Sequence, residues 1–135
     1  MYSKFESEIA VRPDDIDMNN HVHYSKYLDY LLAARYEQME RDYKVPMGEF
    51  IKKGYSWVAS KAEIEFKRAL VLKDTAVVQT QIDSYNGAQV FVNFWIYKKE
   101  TMKIAAEGKV TYTMVSISSG RPLRIPEEII EKYSV

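Results

Sequence analysis

One long helical pattern, in a chain whose other patterns indicate strands, most constrains the fold. Across residues 24–42, apolar side chains recur at helical spacing, and good helix formers fill the second half. The apolar face includes Tyr27, Leu28 and Leu31 and ends at Arg35. An apolar face this broad would stay largely exposed to water if the helix lay on the protein surface, so it must pack against other elements. We therefore predict one helix of about five turns that packs against a sheet.

Strand patterns lie on both sides of this helix, most of them with a period of two, while residues 90–97 are apolar on both faces as in a central strand. We expect strands at residues 5–11, 62–66, 78–82, 90–97 and 105–117, with short helices near residues 49–53 and after Pro126. Asn86-Gly87 is the strongest of the turn signals between the strands. Short turns make consecutive strands antiparallel. The sequence therefore predicts an α+β fold, with one long helix against a five-stranded antiparallel sheet.

Length and composition exclude several classes of protein. A chain of 135 residues favours a single domain over residues 1–135. The absence of cysteine excludes disulfides, a thiolate zinc site and a cysteine nucleophile. Lysine plus arginine and aspartate plus glutamate each total 19, which argues against a nucleic-acid partner. No apolar run approaches the ~18 residues of a membrane helix, so we expect a cytoplasmic protein without a membrane partner.

The densest set of reactive side chains lies in one loop just before the long helix. This loop contains Asp14, Asp15, Asp17, Asn19, Asn20, His21 and His23, which include both histidines of the chain. A helix N-terminus presents free backbone N–H groups and a partial positive charge. A carboxylate beside such donors suits attack on a carbonyl group, because the carboxylate acts as nucleophile or base while the N–H groups stabilise the oxyanion.

Three other interpretations of this loop stay open on the residues alone. An Asp-x-Asp-x-Asn run begins at residue 15 as in a calcium loop, but asparagine replaces the glycine at position 20 and lysine replaces the glutamate at position 26. Asp17, His21 and His23 could hold a divalent metal, although no further ligand cluster follows. In the simplest alternative, the polar residues are turn and cap residues and the histidines lie on the surface.

The run Asp-Ile-Asp-Met-Asn-Asn-His-Val-His-Tyr-Ser-Lys-Tyr-Leu, residues 15–28, resembles the signature of hotdog-fold thioesterases. It is similar to the 4-hydroxybenzoyl-CoA thioesterase-like acyl-CoA thioesterases, and closer still to the Asp-Met-Asn-x-His-Val run of acyl-ACP thioesterases. Residues 62–74 and 120–126 resemble the family's second strand and its C-terminal end. The resemblance implies a five-stranded sheet wrapped around a central helix, and hydrolysis of an acyl thioester to a free acid and a thiol, without a cofactor.

The resemblance also implies roles for individual residues. Asp17 matches the catalytic carboxylate, as nucleophile or general base, while Asn19 and His21 would position Asp17 or a water molecule. The oxyanion hole and substrate contacts are expected at the start of the helix, in His23, Tyr24 and Ser25. His23 and Tyr24 replace paired asparagines of the acyl-ACP group, and Asn20 replaces a glycine of the acyl-CoA group. These departures leave the carrier, CoA or acyl carrier protein, open.

Substrate binding requires an apolar space for the acyl group and cations for the carrier phosphates. Candidate lining residues are Tyr27, Leu31, Trp57, Phe66 and Phe91, and each could equally be plain core. Candidate CoA-binding residues are Lys61, Lys67 and Arg68. Each of these cations could equally belong to an ordinary solvated face.

Two further functional classes and the oligomeric state complete the predictions. A hotdog dehydratase pairs a loop histidine with a helix acid, but Glu37 and Glu40 lie too late on the helix. A non-catalytic domain that binds acyl thioesters stays open. Apolar surface beyond the reach of one helix is expected at Tyr85, Phe91, Trp95 and Tyr97. In the family, the active site lies at a dimer interface. We therefore expect a homodimer or a homotetramer.

Overall fold

The computed structural model describes residues 2–135, whose helices and strands follow the predicted order. The elements are β1 (Lys4–Ala10), a 3-10 turn (Pro13–Asp15), α1 (Tyr24–Arg41), α2 (Met47–Lys52), β2 (Tyr55–Phe66), β3 (Thr75–Asn86), β4 (Gln89–Lys98), β5 (Lys103–Ser116) and α3 (Glu127–Lys132). Within these residues, no helix combines the length and the apolar character that a membrane span requires.

The strands form a single sheet in the order β1-β3-β4-β5-β2. Every neighbouring pair is antiparallel, and β1 and β2 are the two edges. A hairpin joins β3 to β4 at the predicted place, but its two turn residues are Gly87 and Ala88, because Asn86 still pairs with Gln89 as the last residue of β3. Gly87 adopts a left-handed φ of 64° at the first position of this turn. The predicted α+β arrangement, one long helix against a five-stranded antiparallel sheet, is therefore confirmed.

The core lies between α1 and the inner face of the sheet. Val92, Phe94 and Ile96 of β4 are all 0% exposed, and burial of side chains this large stabilises the fold by about 2 kcal/mol each. A buried polar link fixes the helix to the sheet. The Gln38 amide donates to Ser7 Oγ at 3.1 Å, and the Thr80 hydroxyl donates to Gln38 Oε1.

The apolar face of α1 divides into a buried half and an exposed half. Tyr27, Leu31 and Ala34 enter the core with at most 2% exposure. Four other side chains stay 39–70% exposed and lie one turn apart: Tyr24, Leu28, Leu32 and Tyr36. We call these four the exposed stripe. Helical spacing alone cannot separate the two halves, because both satisfy it.

Strand β2 is longer than the sequence pattern predicts. The alternation indicated residues 62–66, but the strand begins at Tyr55 because residues 55–66 pair with β5. A bulge between Ala59 and Lys61 interrupts this pairing and hides the period of two. The opposite edge of β2 pairs with no strand in the described part of the chain. The sheet thus ends in a long open edge beside the exposed stripe.

Candidate functional site

The reactive loop is a tight turn closed by backbone hydrogen bonds. The Asp17 N–H donates to the His21 carbonyl at 2.8 Å, and the His23 N–H donates to the Asp15 carbonyl at 2.8 Å. Asn20 adopts a left-handed φ of 65°, which asparagine tolerates better than most residues. The turn therefore forms without the glycine of the acyl-CoA group. It holds Asp17 opposite His21, three residues before α1 begins at Tyr24.

Asp15 anchors this loop to the helix. Its carboxylate is 1% exposed, and Oδ2 accepts from the Arg12 N–H at 3.0 Å and from the Tyr30 hydroxyl at 2.7 Å. Oδ1 lies 3.9 Å from Lys26 Nζ. Burial opposes ionisation, but these hydrogen bonds and the charges of Arg12 and Lys26 outweigh it and hold the pKa of Asp15 below its ordinary value. The sequence showed Asp15 as a member of the reactive loop but did not predict its anchoring role, because its hydrogen-bond partner Tyr30 is 15 residues away.

Asp17 presents an oriented carboxylate at the surface of the loop. Oδ1 accepts from the Asn19 N–H at 2.8 Å and from the His21 N–H at 3.2 Å. Oδ2 accepts no hydrogen bond from the described residues. Asn19 and His21 therefore act on Asp17 through their backbone amides, while both side chains are exposed. A carboxylate with one fixed oxygen and one free oxygen suits a nucleophile or base, and the same bonds occur in ordinary aspartate turns.

The start of α1 offers one free amide. His23 is the N-cap residue, and its Nδ1 accepts from the Ser25 N–H at 3.3 Å. The Lys26 N–H donates to the His23 carbonyl at 2.9 Å. The Tyr24 N–H has no protein acceptor among residues 2–135. Of the expected oxyanion residues His23, Tyr24 and Ser25, only Tyr24 thus keeps its amide available.

The loop does not gather a set of metal ligands. Asp15 is engaged with Arg12 and Tyr30, and the His23 ring is engaged with Ser25. Across residues 2–135, no group of three or more histidine, cysteine, aspartate or glutamate side chains is placed to hold a metal ion. The calcium and divalent-metal interpretations therefore gain no geometric support.

The three expected CoA-binding cations lie at different distances from the loop. Each is engaged by a neighbour: Lys61 Nζ lies 3.1 Å from Glu63, Lys67 Nζ lies 2.8 Å from Glu65, and Arg68 Nη1 donates to the Ile104 carbonyl at 2.8 Å. The ring centres of Phe66 and Tyr24 lie 4.7 Å apart. Because Lys67 and Arg68 follow Phe66 directly, they lie near the start of α1. Lys61 lies about 17 Å further along the strand.

A cavity of about 290 Å³ lies beside the C-terminal half of α1. Five aromatic residues contribute to its lining: Tyr36, Trp57, Tyr85, Tyr112 and Tyr133. Of the five lining residues expected from the sequence, Trp57 alone lines this cavity. Tyr27 and Leu31 are core residues, and Phe66 packs on Tyr24. Phe91 is on the opposite sheet face, because its neighbour Val90 lines the cavity and successive strand residues alternate.

Comparisons with known proteins agree on one family. Residues 11–133 match the family described as the thioesterase-like superfamily. The long-chain acyl-CoA thioesterase FadM of Escherichia coli is 22% identical over 127 residues, which are 94% of this chain and 95% of FadM.

Two solved structures share the fold. The DHNA-CoA thioesterase of Staphylococcus aureus superposes with a TM-score of 0.89 at 16% identity, over 97% of this chain and 89% of that one. The 1,4-dihydroxy-2-naphthoyl-CoA thioesterase Slr0204 of Synechocystis gives a TM-score of 0.85 at 17% identity, over 97% and 96% of the two chains. At these identities the likeness establishes the fold, and the predicted hotdog arrangement is confirmed.

Proposed function

The chain belongs to the thioesterase-like superfamily, and we propose on this premise that it is an acyl-CoA thioesterase. It would hydrolyse an acyl thioester to a free acid and a thiol, as the name of its relative FadM describes for that enzyme. The proposal rests on the geometry of the Asp17 carboxylate. This carboxylate is oriented by two loop amides, keeps one oxygen free and belongs to the loop that leads directly into α1.

Two chemical routes fit this geometry. In the first, Asp17 Oδ2 attacks the thioester carbonyl carbon, the carbon–sulfur bond breaks, and water then hydrolyses the resulting anhydride. In the second, Asp17 accepts a proton from a water molecule that attacks the same carbon. In both routes the Tyr24 N–H and the positive end of the α1 dipole stabilise the oxyanion. The thiolate leaves without strong acid assistance.

The carrier is proposed to be CoA, with acyl carrier protein as the alternative. Lys67 and Arg68 lie near the start of α1 and could contact the phosphates of either carrier. A non-catalytic domain that binds acyl thioesters is a further alternative, because the bonds of Asp17 also suit a plain turn.

The test is thiol release from a panel of short, long and aromatic acyl-CoAs, with Asp17→Asn beside the wild type. Asparagine can still accept from the two loop amides, so the variant should fold, while its turnover should fall by at least about 100-fold. Asp14→Asn is the matched control, because Asp14 is an exposed aspartate of the same loop.

The outcomes separate the alternatives. Wild-type turnover in Asp17→Asn would refute the assignment of Asp17. If the wild type releases no thiol from any CoA ester, acyl-ACP substrates are tested next. Inactivity toward those substrates as well would favour the binding domain.

The proposed assembly is a homodimer built on the open edge of β2. This edge adjoins the exposed stripe, and Val58 and Phe66 of β2 add apolar surface with 47% and 42% exposure. An unpaired strand edge beside apolar side chains is a surface that a second copy covers well. A homotetramer would need another surface, such as the outer face of β4 with Phe91, Trp95 and Tyr97.

Sedimentation velocity tests the dimer. Leu28→Lys places a charge in the exposed stripe and should shift the protein from dimer to monomer. Asp29→Lys is the matched control, since Asp29 is 64% exposed and lies outside the stripe. A monomeric wild type, or a Leu28→Lys variant that stays dimeric, would contradict this interface.

A further inference from the structure

Arg35 is a buried cation without an acidic partner. It is 7% exposed and lies two-thirds of the way along α1. Among residues 2–135 no carboxylate forms an ion pair with it. Arg35 Nη1 donates to Thr80 Oγ1 at 3.4 Å, and the guanidinium carbon lies 5.4 Å and 5.9 Å from the ring centres of Tyr43 and Tyr112. The Tyr112 hydroxyl is a further neutral partner of Arg35. Neutral hydroxyls and ring contacts compensate only part of the cost of burying a cation.

Arg35 is the charged residue in the lining of the cavity beside α1. The other lining residues, all in the described part of the chain, are uncharged. The neighbouring tyrosines do not provide the missing negative charge. Burial raises the pKa of Tyr85, Tyr112 and Tyr133 above the ordinary tyrosine value, so their hydroxyls are neutral at physiological pH.

Other hydrogen-bonding groups around Arg35 also lack partners. Within residues 2–135, the Tyr43 hydroxyl, Trp57 Nε1 and the Tyr85 hydroxyl are buried without a hydrogen bond. Trp57 and Tyr85 line the cavity, and the Tyr43 ring faces Arg35. Buried polar groups in native proteins are nearly always paired, so two such groups on the cavity lining and a third on the ring that faces Arg35 are an unusual concentration. They complement an anionic group that carries several acceptor oxygens.

The exposed stripe connects this cavity to the reactive loop. Its last two members, Leu32 and Tyr36, line the cavity, and its first, Tyr24, carries the free amide at the start of α1. Because a helix rises 1.5 Å per residue, the Arg35 backbone lies about 16 Å along the axis from Tyr24. An acyl group with its thioester at Tyr24 could follow the stripe and bring its far end to Arg35. The proposed second copy would cover this path.

We propose that Arg35 binds a carboxylate at the far end of the acyl group, so that the preferred substrates are CoA thioesters of dicarboxylic acids. This inference rests on the proposed thioester hydrolysis and names its substrate class. A methyl end would leave the guanidinium unpaired in an apolar cavity. A hydroxyl group on an aromatic acyl chain would offer a neutral oxygen. A carboxylate neutralises the charge and matches the planar donor geometry of arginine.

The kinetic test compares matched pairs of thioesters. Each pair has the same carbon number and differs only in the end group, as in adipyl-CoA with hexanoyl-CoA, suberyl-CoA with octanoyl-CoA and dodecanedioyl-CoA with dodecanoyl-CoA. At the fitting length, the dicarboxylic thioester should have the higher kcat/KM, by about tenfold or more. This comparison needs no variant, so it is informative even if substitutions of Arg35 fail to fold.

Variants assign the preference to Arg35. Arg35→Met should collapse the ratio of the two kcat/KM values toward one, and Arg35→Lys should retain part of it. Arg41→Met is the matched control, because Arg41 lies on the same helix but pairs with Glu37 and Asp42 at the surface. Its ratio should equal that of the wild type.

A binding measurement separates this inference from the proposed function. The chain has two tryptophans, so Trp95→Phe leaves Trp57 as a fluorescent reporter within the cavity. Monomethyl suberate should quench or shift the Trp57 emission at lower concentration than dimethyl suberate, and Arg35→Met should remove the difference. This measurement requires no hydrolysis.

The outcomes are distinct. Equal kcat/KM values at every length, together with equal affinity for the two esters, would overturn the proposal and leave Arg35 a structural residue. Preferential binding of the monomethyl ester without hydrolysis of any thioester would support the carboxylate site and refute the thioesterase function.

Discussion

The two ends of α1 handle buried charge in opposite ways. At its N-terminal end, the buried Asp15 carboxylate has hydrogen bonds from Arg12 and Tyr30 and a cation nearby. Beside its C-terminal half, the buried Arg35 meets only neutral groups, which include the hydroxyls of Thr80 and Tyr112, and no anion in the described residues. A charge that its own protein compensates holds structure together. An uncompensated charge lowers stability and is retained where a ligand uses it.

Loss of the compensated charge should have the largest effect on stability. Asp15→Ala removes the acceptor of the Tyr30 hydroxyl and leaves Lys26 without its nearest buried anion. We expect the free energy of unfolding to fall by about 3 kcal/mol, measured by urea denaturation at neutral pH. Asp14→Ala is the control, because Asp14 is 68% exposed and should change stability little. If Asp15→Ala changes the free energy of unfolding as little as Asp14→Ala does, the buried Asp15 does not anchor the fold, and the two ends of α1 do not differ as proposed.

Acid should weaken the same anchor. The folded protein holds the pKa of Asp15 below its ordinary value of 3.8, so ionised Asp15 stabilises the fold above that pH. The stabilisation disappears as the pH falls through the folded-state pKa. The difference in unfolding free energy between the wild type and Asp15→Asn should therefore be greatest above pH ~4 and shrink below it. An equal difference in acid and at neutral pH would contradict this assignment.

Loss of the uncompensated charge should have the opposite sign. Arg35→Met keeps most of the side-chain volume and removes the buried cation, so the ligand-free protein should gain about 1 kcal/mol of stability. Thermal denaturation measures this change as a rise in Tm of several degrees. Arg41→Met, which breaks surface ion pairs, should lower Tm slightly or leave it unchanged. A clear loss of stability in Arg35→Met would show that Thr80 and the aromatic rings fully compensate Arg35.

The smallest predicted effect concerns the cap of α1. His23→Ala removes the side-chain acceptor of the Ser25 N–H, a long bond of 3.3 Å, and should cost about 0.5 kcal/mol in urea denaturation. His23→Asn supplies an effective capping side chain and should restore most of that stability. If alanine and asparagine have the same effect, the His23 ring does not act as the cap.

The sequence predicted the order of helices and strands because those patterns are local. The helix at residues 24–42 is observed at Tyr24–Arg41, and the hairpin expected from Asn86-Gly87 is confirmed, with its turn one residue later at Gly87-Ala88. It did not predict which half of the helix face would be buried, since the choice depends on where the sheet edge lies. The sequence pattern also missed the first seven residues of β2, because these residues are extended only through their pairing with β5.

The candidate site likewise has one part that local sequence determines and one part that depends on the tertiary structure. The sequence alone determined the reactive loop, because the hydrogen bonds to Asp17 come from residues two and four positions away. Only the tertiary structure decided the surroundings of Arg35, which the sequence showed as the last member of a helical face. Thr80 is 45 residues from Arg35 in sequence, and Tyr112 reaches it from another strand. Local spacing specifies which face a side chain occupies, but the sheet that folds against this face decides whether a charge there meets a partner.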